Sequence, residues 1–176
     1  KAYLKEDEEN GTVLRLIRLL DKRGEKWADE LPIALNANGG YAFISGKDKE
    51  IAALKSKDFL DVNPYATAEE CMKHLIDQYK VSGYSAKDTR DIVSVRYNMT
   101  KSGFSVSQPY TLAPDVSKET VAIISENSTR LPGTQTQLTT KRQYPDGALL
   151  PHILGTLGSI SAEEWDTLKK KDYAYN

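Results

Sequence analysis

A serine one helical turn before a lysine would be the first candidate for catalysis in this sequence. Serine–lysine acyl-transfer enzymes need the spacing S-x-x-K, because the lysine amine then takes the proton from the serine hydroxyl. None of the serines in this chain is followed by a lysine three residues later. Lys101-Ser102-Gly103 matches the K-[ST]-G element of such enzymes and Ser125-Glu126-Asn127 matches S-x-N, but in the reverse of the usual order. We interpret both as chance matches, and Gly103 as the end of a helix.

The two histidines, His74 and His152, are the candidates for a general base or a metal ligand. The composition allows a Ser-His-Asp triad, but there is no G-x-S-x-G turn to expose a nucleophilic serine. His74 lies one turn from Cys71, and two ligands are too few for a structural zinc site. Cys71 falls on an apolar helical stripe, which predicts a buried thiol. We expect His152 to be a hydrogen-bonded packing residue, and we expect no metal and no other cofactor.

Residues 142–155 (RQYPDGALLPHILG) combine a charged and aromatic strand end, a turn and an apolar helix. Arg142 and Tyr144 share one face of the predicted strand, where a guanidinium and a phenol can pin a loop or contact a partner. The proline and glycine that follow predict a turn. The residues that we predict for structure and interaction are Arg142, Tyr144, Pro145, Gly147, His152, Gly155 and Gly158.

Composition and charge exclude several classes of function. The chain has 176 residues, of which 39% are hydrophobic and 28% charged, as is typical of a globular domain with its own core. A formal charge of −1 gives no net positive field, so nucleic acid is not expected as a partner. No apolar run approaches the roughly 18 residues of a membrane span. The chain starts without Met, so we expect it to be a piece of a longer protein.

Helices and strands are mixed without a strict βαβ order, which favours the α+β class. Helices are predicted at residues 12–20 (capped by Asn10 or Thr12 and ended by Gly24), 47–60, 68–80 (opened by the capping box Thr67-Ala-Glu-Glu70), 85–102 and 117–127. Two extended segments joined by a turn are predicted within residues 31–45, and another extended segment at 108–113.

Residues 134–144 (TQTQLTTKRQY) are rich in β-branched threonine and contain no glycine or proline. They predict a strand about 35 Å long at roughly 3.3 Å per residue, longer than most strands. A long polar ribbon with few buried side chains spans distance better than it builds a core. We treat residues 1–176 as a single domain, with 1–107 and 108–176 as candidate lobes.

From Tyr97 onward the sequence carries an ordered set of motifs. They are a DVS-x-ET helix start at residues 115–120, LPG at 131–133, R-x-YP-x-G at 142–147 and HILG-x-x-G at 152–158. In this order and at these distances, they resemble the non-catalytic dimerisation, or pedestal, domain of class B penicillin-binding proteins. Residues 12–33 resemble the region that these proteins place before it, so the resemblance covers residues 10–176.

The resemblance implies a pedestal fold, with helices packed on small mixed sheets and a long strand ribbon. It also implies a parent protein in peptidoglycan biosynthesis, anchored by an N-terminal helix on the extracytoplasmic face of the bacterial cytoplasmic membrane. The parent's transpeptidase domain would cross-link peptide stems and be acylated by β-lactams. Because this chain contains neither the R-G-x-I-x-D-R-x-G stretch nor the S-x-x-K domain of the family, we expect a positioning and docking domain rather than an enzyme.

The resemblance also implies the partners of the domain. They are the transpeptidase domain of the same polypeptide, a membrane-embedded glycan polymerase, other cell-wall synthesis proteins and, in a homodimer, a second copy of the domain. Two other functions stay open at this point. A self-standing small hydrolase would use His152 with a nearby serine, and a wall-glycan-binding module would bind sugar without catalysis.

Overall fold

Five α-helices and one β-hairpin form the part of the chain that the computed structural model describes, residues 6–105 and 107–140. In chain order the elements are α1 (Glu6–Arg23), β1 (Ile33–Leu35), β2 (Tyr41–Phe43), α2 (Asp48–Lys55), α3 (Ala68–Gln78), α4 (Ala86–Lys101) and α5 (Lys118–Glu126). The predicted α+β class is confirmed. None of these helices is long and apolar enough to cross a membrane.

Contacts within the chain divide it into two units, Lys1–Gln137 and Leu138–Asn176. All the helices and strands named above lie in the first unit. The candidate lobes 1–107 and 108–176 stay a prediction.

Helix α1 begins earlier than the sequence pattern predicts. Asn10 and Thr12, which we expected to cap the helix, lie inside it and are almost fully buried. The reason is a tertiary contact, because the Asn10 Nδ2 donates a hydrogen bond to the Tyr79 carbonyl oxygen at 2.9 Å. The predicted end at Gly24 is confirmed, since Gly24 has a φ of +70° and the Glu25 N–H donates back to the last turn of the helix.

The two extended segments predicted within residues 31–45 form an antiparallel hairpin, as expected. The register of β1 and β2 pairs Ile33 with Phe43, Ala34 with Ala42 and Leu35 with Tyr41. The Asn36 N–H closes the turn by donating to the Gly40 carbonyl oxygen at 2.7 Å. Glu69 of α3 accepts the Tyr41 N–H at 2.6 Å and so ties the hairpin to α3. Within the described residues the sheet consists of this antiparallel hairpin.

Helix α2 is shorter than the helix predicted at residues 47–60. It ends at Lys55, and Ser56 leaves the helix with a ψ of 162°. The Ser56 hydroxyl donates to the Ala53 carbonyl oxygen, and the Ser56 carbonyl oxygen accepts the Asp61 N–H at 2.8 Å. A side chain that bonds to nearby backbone competes with the helical hydrogen bonds, so the chain turns back here instead of adding another helical turn.

Helices α3, α4 and α5 begin at the caps that the sequence predicts. Thr67 and Glu70 form the reciprocal capping box of α3. Ser85 caps α4 and Ser117 caps α5, each by accepting the backbone N–H three residues on. Gly103, with a φ of +69°, ends α4 as expected. These signals are local, which is why the sequence alone reveals them.

Helix α4 lies at the centre of the described fold. Most of its residues are buried, and it contacts α1, α3 and β1. The larger apolar core packs α4 against α3, α2 and the hairpin, and its fully buried members include Leu31, Ile33, Leu54, Cys71, Met72, Leu75, Ile92 and Val93. A smaller cluster joins α1 to α4 through Val13, Ile17 and Val95. Cys71 is therefore a core residue, as predicted.

Two predicted extended segments form no strand where the structure describes them. Residues 108–113 are joined to the α1–β1 connection by the Ala28 N–H, which donates to the Leu112 carbonyl oxygen at 2.9 Å. Residues 134–140 also lie outside any strand, and residues 141–144 of the predicted ribbon lie outside the described part. Threonine favours strands mainly through packing against a neighbouring strand, and no described residue pairs with residues 134–140 in a sheet.

Candidate functional site

The segment that joins α1 to β1, residues 24–32, is held by polar side chains of α4. Arg90 donates through Nε to the Ile33 carbonyl oxygen at 3.0 Å and through Nη1 to Asp29 at 2.5 Å. The Ser94 hydroxyl donates to the other carboxylate oxygen of Asp29 at 2.6 Å. The side chains of Arg90 and Asp29 are 10% and 37% exposed, so this ion pair is partly shielded from water. We call Arg90, Asp29 and Ser94 the α4 clamp.

Two further side chains extend these contacts along α4. The Asn98 Nδ2 donates to the Ala28 carbonyl oxygen at 2.9 Å, and the Lys101 Nζ lies 2.8 Å from the Glu30 Oε2. The hydrogen bond to Glu30 raises the pKa of Lys101 above its ordinary value. On α4, the residues Arg90, Ser94, Asn98 and Lys101 recur every three or four positions, which places them on one side of the helix. One polar edge of α4 therefore holds residues 28–33.

A second polar contact, which we call the Glu25 cap, joins the end of α1 to the start of α5. The Glu25 Oε1 accepts the Ser117 N–H at 3.0 Å, the Ser117 hydroxyl at 2.6 Å and the Thr120 hydroxyl at 2.7 Å. Thr120 is fully buried. The hydrogen bonds from Ser117 and then Thr120 hold the pKa of Glu25 below its ordinary value, and Arg23 contributes in the same direction. A carboxylate at a helix N-terminus is also favoured by the helix dipole.

The Glu25 cap gives a structural meaning to the DVS-x-ET motif at residues 115–120. Ser117 is the N-cap of α5 and accepts the Thr120 N–H, and the hydroxyls of both Ser117 and Thr120 donate to the carboxylate of Glu25. Asp115 has a φ of +56°, a left-handed conformation in which aspartate is enriched. The motif therefore forms a helix N-terminus that is capped by its own serine and is also bound by Glu25, which lies outside the helix.

The chain that leaves α5 is held against α1. The Arg15 Nε donates to the Arg130 carbonyl oxygen at 2.9 Å, and the Arg15 Nη2 donates to the Thr12 hydroxyl at 3.0 Å. Leu131, the first residue of the LPG motif, is 3% exposed. Both ends of α5 are thus attached to α1 or to the turn that follows it, the start through Glu25 and the end through Arg15.

The seven residues that the sequence predicts for structure and interaction all lie outside the described part of the chain. They are Arg142, Tyr144, Pro145, Gly147, His152, Gly155 and Gly158. Their roles stay predictions.

The two matches to catalytic motifs have structural roles as helix ends. Lys101-Ser102-Gly103 closes α4, and the Ser102 hydroxyl donates to the Met99 carbonyl oxygen. Ser125-Glu126-Asn127 closes α5, and the Ser125 hydroxyl donates to the Val121 carbonyl oxygen. Each serine hydroxyl is therefore bonded to the backbone of its own helix.

The candidate metal ligands of α3 do not come together. Cys71 is fully buried, and burial raises the pKa of its thiol. His74 is exposed on the other side of the helix from the core. Residues 6–105 and 107–140 contain no group of three or more His, Cys, Asp or Glu side chains that could hold a metal ion.

Sequence reasoning missed both the α4 clamp and the Glu25 cap. Arg90 and Asp29 are 61 positions apart, and Glu25 and Ser117 are 92 positions apart, so local periodicity cannot pair them. One signal was present in α4, where Arg90, Ser94 and Asn98 form a polar line every four residues beside the apolar residues Ile92, Val93 and Val95. Such a line indicates buried polar groups that need partners elsewhere in the chain.

Comparison with known families gives a match that spans nearly the whole chain. The chain matches the family model described as the penicillin-binding protein dimerisation domain over residues 3–176. No curated protein sequence matches it. A dimerisation domain is a non-catalytic part of a penicillin-binding protein. Because the match covers nearly the whole chain, the chain belongs to the family of penicillin-binding protein dimerisation domains.

Proposed function

We propose that this domain is the pedestal of a class B penicillin-binding protein and positions a transpeptidase domain for peptidoglycan cross-linking. The observation that carries the proposal is the family match over residues 3–176 in a sequence without S-x-x-K. A serine without a nearby lysine lacks the base that activates it in serine–lysine acyl transfer. The acylation chemistry then belongs to a transpeptidase domain of the same polypeptide, for which this domain supplies position and contacts.

The contacts of the described residues support a positioning role. The polar edge of α4 holds residues 28–33, and the Glu25 cap and Arg15 hold the two ends of α5. Each contact joins segments that are far apart in the sequence, so each fixes the geometry of one element relative to another. A domain that must hold another at a defined distance needs this fixed geometry more than it needs a deep cleft.

The proposed location is the extracytoplasmic face of the bacterial cytoplasmic membrane, where an N-terminal helix would anchor the parent protein. The proposed partners are a membrane-embedded glycan polymerase and other cell-wall synthesis proteins, because a pedestal would lie between the membrane and the transpeptidase domain. The residues of 142–158 that the sequence singles out are proposed to take part in this docking.

Labelling with a fluorescent penicillin tests the proposal. We expect the purified chain to remain unlabelled and the full-length parent to be labelled on a serine outside residues 1–176. Stoichiometric labelling of a serine within the chain would overturn the proposal.

Two further measurements separate the alternative functions. A screen of ester and amide substrates, repeated with His152→Ala, tests for a hydrolase, because only an enzyme would lose turnover on this substitution. Saturable thermal stabilisation of the chain by wall-glycan fragments would instead favour a glycan-binding module.

A further inference from the structure

Tyr65 is displayed to solvent on a loop that is itself held in place. The side chain is 92% exposed. The Asn63 Oδ1 accepts the Tyr65 N–H at 2.9 Å, and the Asn63 carbonyl oxygen accepts the Ala66 N–H at 2.8 Å. The Lys55 Nζ donates to the Pro64 carbonyl oxygen at 2.9 Å and ties the loop to α2. An aromatic side chain on an ordered loop loses little conformational entropy on binding, so Tyr65 is pre-organised for a contact.

A shallow open groove lies beside this loop. It is lined by Asp48, Ile51, Ala52, Lys55, Ser56 and Pro64. Pro64 lines the groove and directly precedes Tyr65, so the loop that carries the exposed ring forms one edge of the groove. A two-fold symmetric contact needs a self-complementary surface, because each copy offers the same patch to the other, and a projection beside a recess is one such surface.

The charges along the groove favour a second copy as its occupant. Asp48, Ile51, Ala52 and Lys55 follow the spacing of one helix face, with the acid at the start of α2, the apolar residues in the middle and the base at the end. When two copies of α2 pair antiparallel, Asp48 of each copy meets Lys55 of the other. The lysines at positions 47 and 49 flank Asp48 but do not line the groove.

We propose that Tyr65 and the groove face of α2 form a two-fold symmetric contact between two copies of this domain, with Tyr65 of each copy packed in the groove of the other. The proposal rests on the pedestal function and specifies a surface for the dimerisation that the family description names. An eight-residue helix and one loop bury less than the roughly 1,200 Å² of a standard interface, so the isolated domain forms a weak dimer. Confinement of two parents on one membrane raises their effective concentration and strengthens the contact.

Sedimentation equilibrium of the 176-residue chain, from about 10 μM to about 1 mM, tests the contact. We expect a reversible dimer that Tyr65→Ser weakens by at least about 10-fold. Leu138→Ser is the matched control, because Leu138 is 99% exposed and does not line the groove. Asp48→Lys is also expected to weaken the dimer, whereas Glu50→Lys makes the same charge change in the same helical turn, outside the groove, and is expected to leave it nearly unchanged.

Thermal unfolding of each variant checks that a loss of association does not come from a loss of folding. Because Tyr65 is exposed, we expect Tyr65→Ser to leave the fold intact. A chain that is monomeric over the whole concentration range overturns the proposal, as does a dimer that Tyr65→Ser and Asp48→Lys leave intact. A monomer that binds wall-glycan fragments through Tyr65 would assign the surface to carbohydrate and overturn the dimer too. None of these results changes the penicillin-labelling test, so a failure of this proposal is distinguishable from a failure of the pedestal function.

Discussion

The guanidinium of Arg90 and the carboxylate of Asp29, 61 positions apart in the chain, form an ion pair at 2.5 Å that closes the α1–β1 connection onto α4. Asp29→Ala leaves the largely buried Arg90 with the hydrogen bond to the Ile33 carbonyl oxygen and, as its remaining ion pair, the weaker contact to Asp91 at 3.6 Å. We expect this variant to lower the free energy of unfolding by about 2 kcal/mol, measured by urea denaturation.

Glu30→Ala is the control for this substitution. Glu30 pairs with Lys101, but their side chains are 59% and 49% exposed, so we expect a cost of about 0–1 kcal/mol. If the two variants lost the same free energy of unfolding, the α4 clamp would be no more important than a surface ion pair.

The Glu25 cap makes part of the stability depend on pH. The pKa of Glu25 in the folded chain lies below its ordinary value of 4.5. The cap therefore stabilises the fold above about pH 4.5, and its contribution is lost as the pH falls through the lower folded pKa. We expect Glu25→Gln to lower the melting temperature at neutral pH and to flatten the decline of stability in acid. Glu70 and Asp88, whose pKa values are also lowered, keep part of that decline in the variant.

Ser117 and Glu25 are expected to act as one unit. Ser117→Ala removes both the internal cap of α5 and a hydrogen bond to Glu25, so we expect it to cost about 1–2 kcal/mol. Combined with Glu25→Gln, it is expected to cost less than the sum of the two single substitutions. Thr67→Ala, which removes the cap of α3, serves as the control and is expected to be additive with Glu25→Gln. Strict additivity of both pairs would contradict the Glu25 cap.

The Cys71 thiol is expected to be unreactive in the folded chain. It is fully buried, and burial raises the pKa of the thiol, so little thiolate is available at neutral pH. We expect a thiol reagent to label Cys71 only on unfolding, at least about 100-fold more slowly than the exposed cysteine introduced by Tyr65→Cys. Rapid labelling of the wild-type chain would show that the core around α3 opens readily.

Arg142 is predicted to matter for position rather than for chemistry. In the full-length parent, we expect Arg142→Ala to impair cell-wall synthesis while penicillin acylation stays largely intact. Lys141→Ala, which removes a neighbouring positive charge, is the control. Loss of acylation in a folded Arg142→Ala parent would show that a positioning role is wrong.

The sequence predicts those parts of the fold that depend on local interactions. Thr67, Ser85 and Ser117 cap helices with side chains that bond three residues away, and Gly24 and Gly103 end helices through their own backbone conformation. The motifs also identify the family, because order and spacing are properties of the sequence itself.

The sequence does not predict contacts that depend on the tertiary fold. Asn10 has the chemistry of a cap, but its amide binds the Tyr79 carbonyl oxygen 69 positions away, and α1 extends past it. Ser56 ends α2 early through bonds that no periodicity shows. The threonines of residues 134–140 have strand propensity, yet no strand of the described part pairs with them, and propensity alone does not form a sheet.

The central position of α4 determines which part of the domain is expected to unfold first. Because this helix contacts α1, α3 and the hairpin, its backbone amides can exchange with solvent only when most of the first unit opens. Helix α5 is shorter and buries only Thr120 and Ile124, so its amides are expected to exchange through a smaller opening of lower free energy. A pedestal built this way would release its α5 end under load long before its interior came apart.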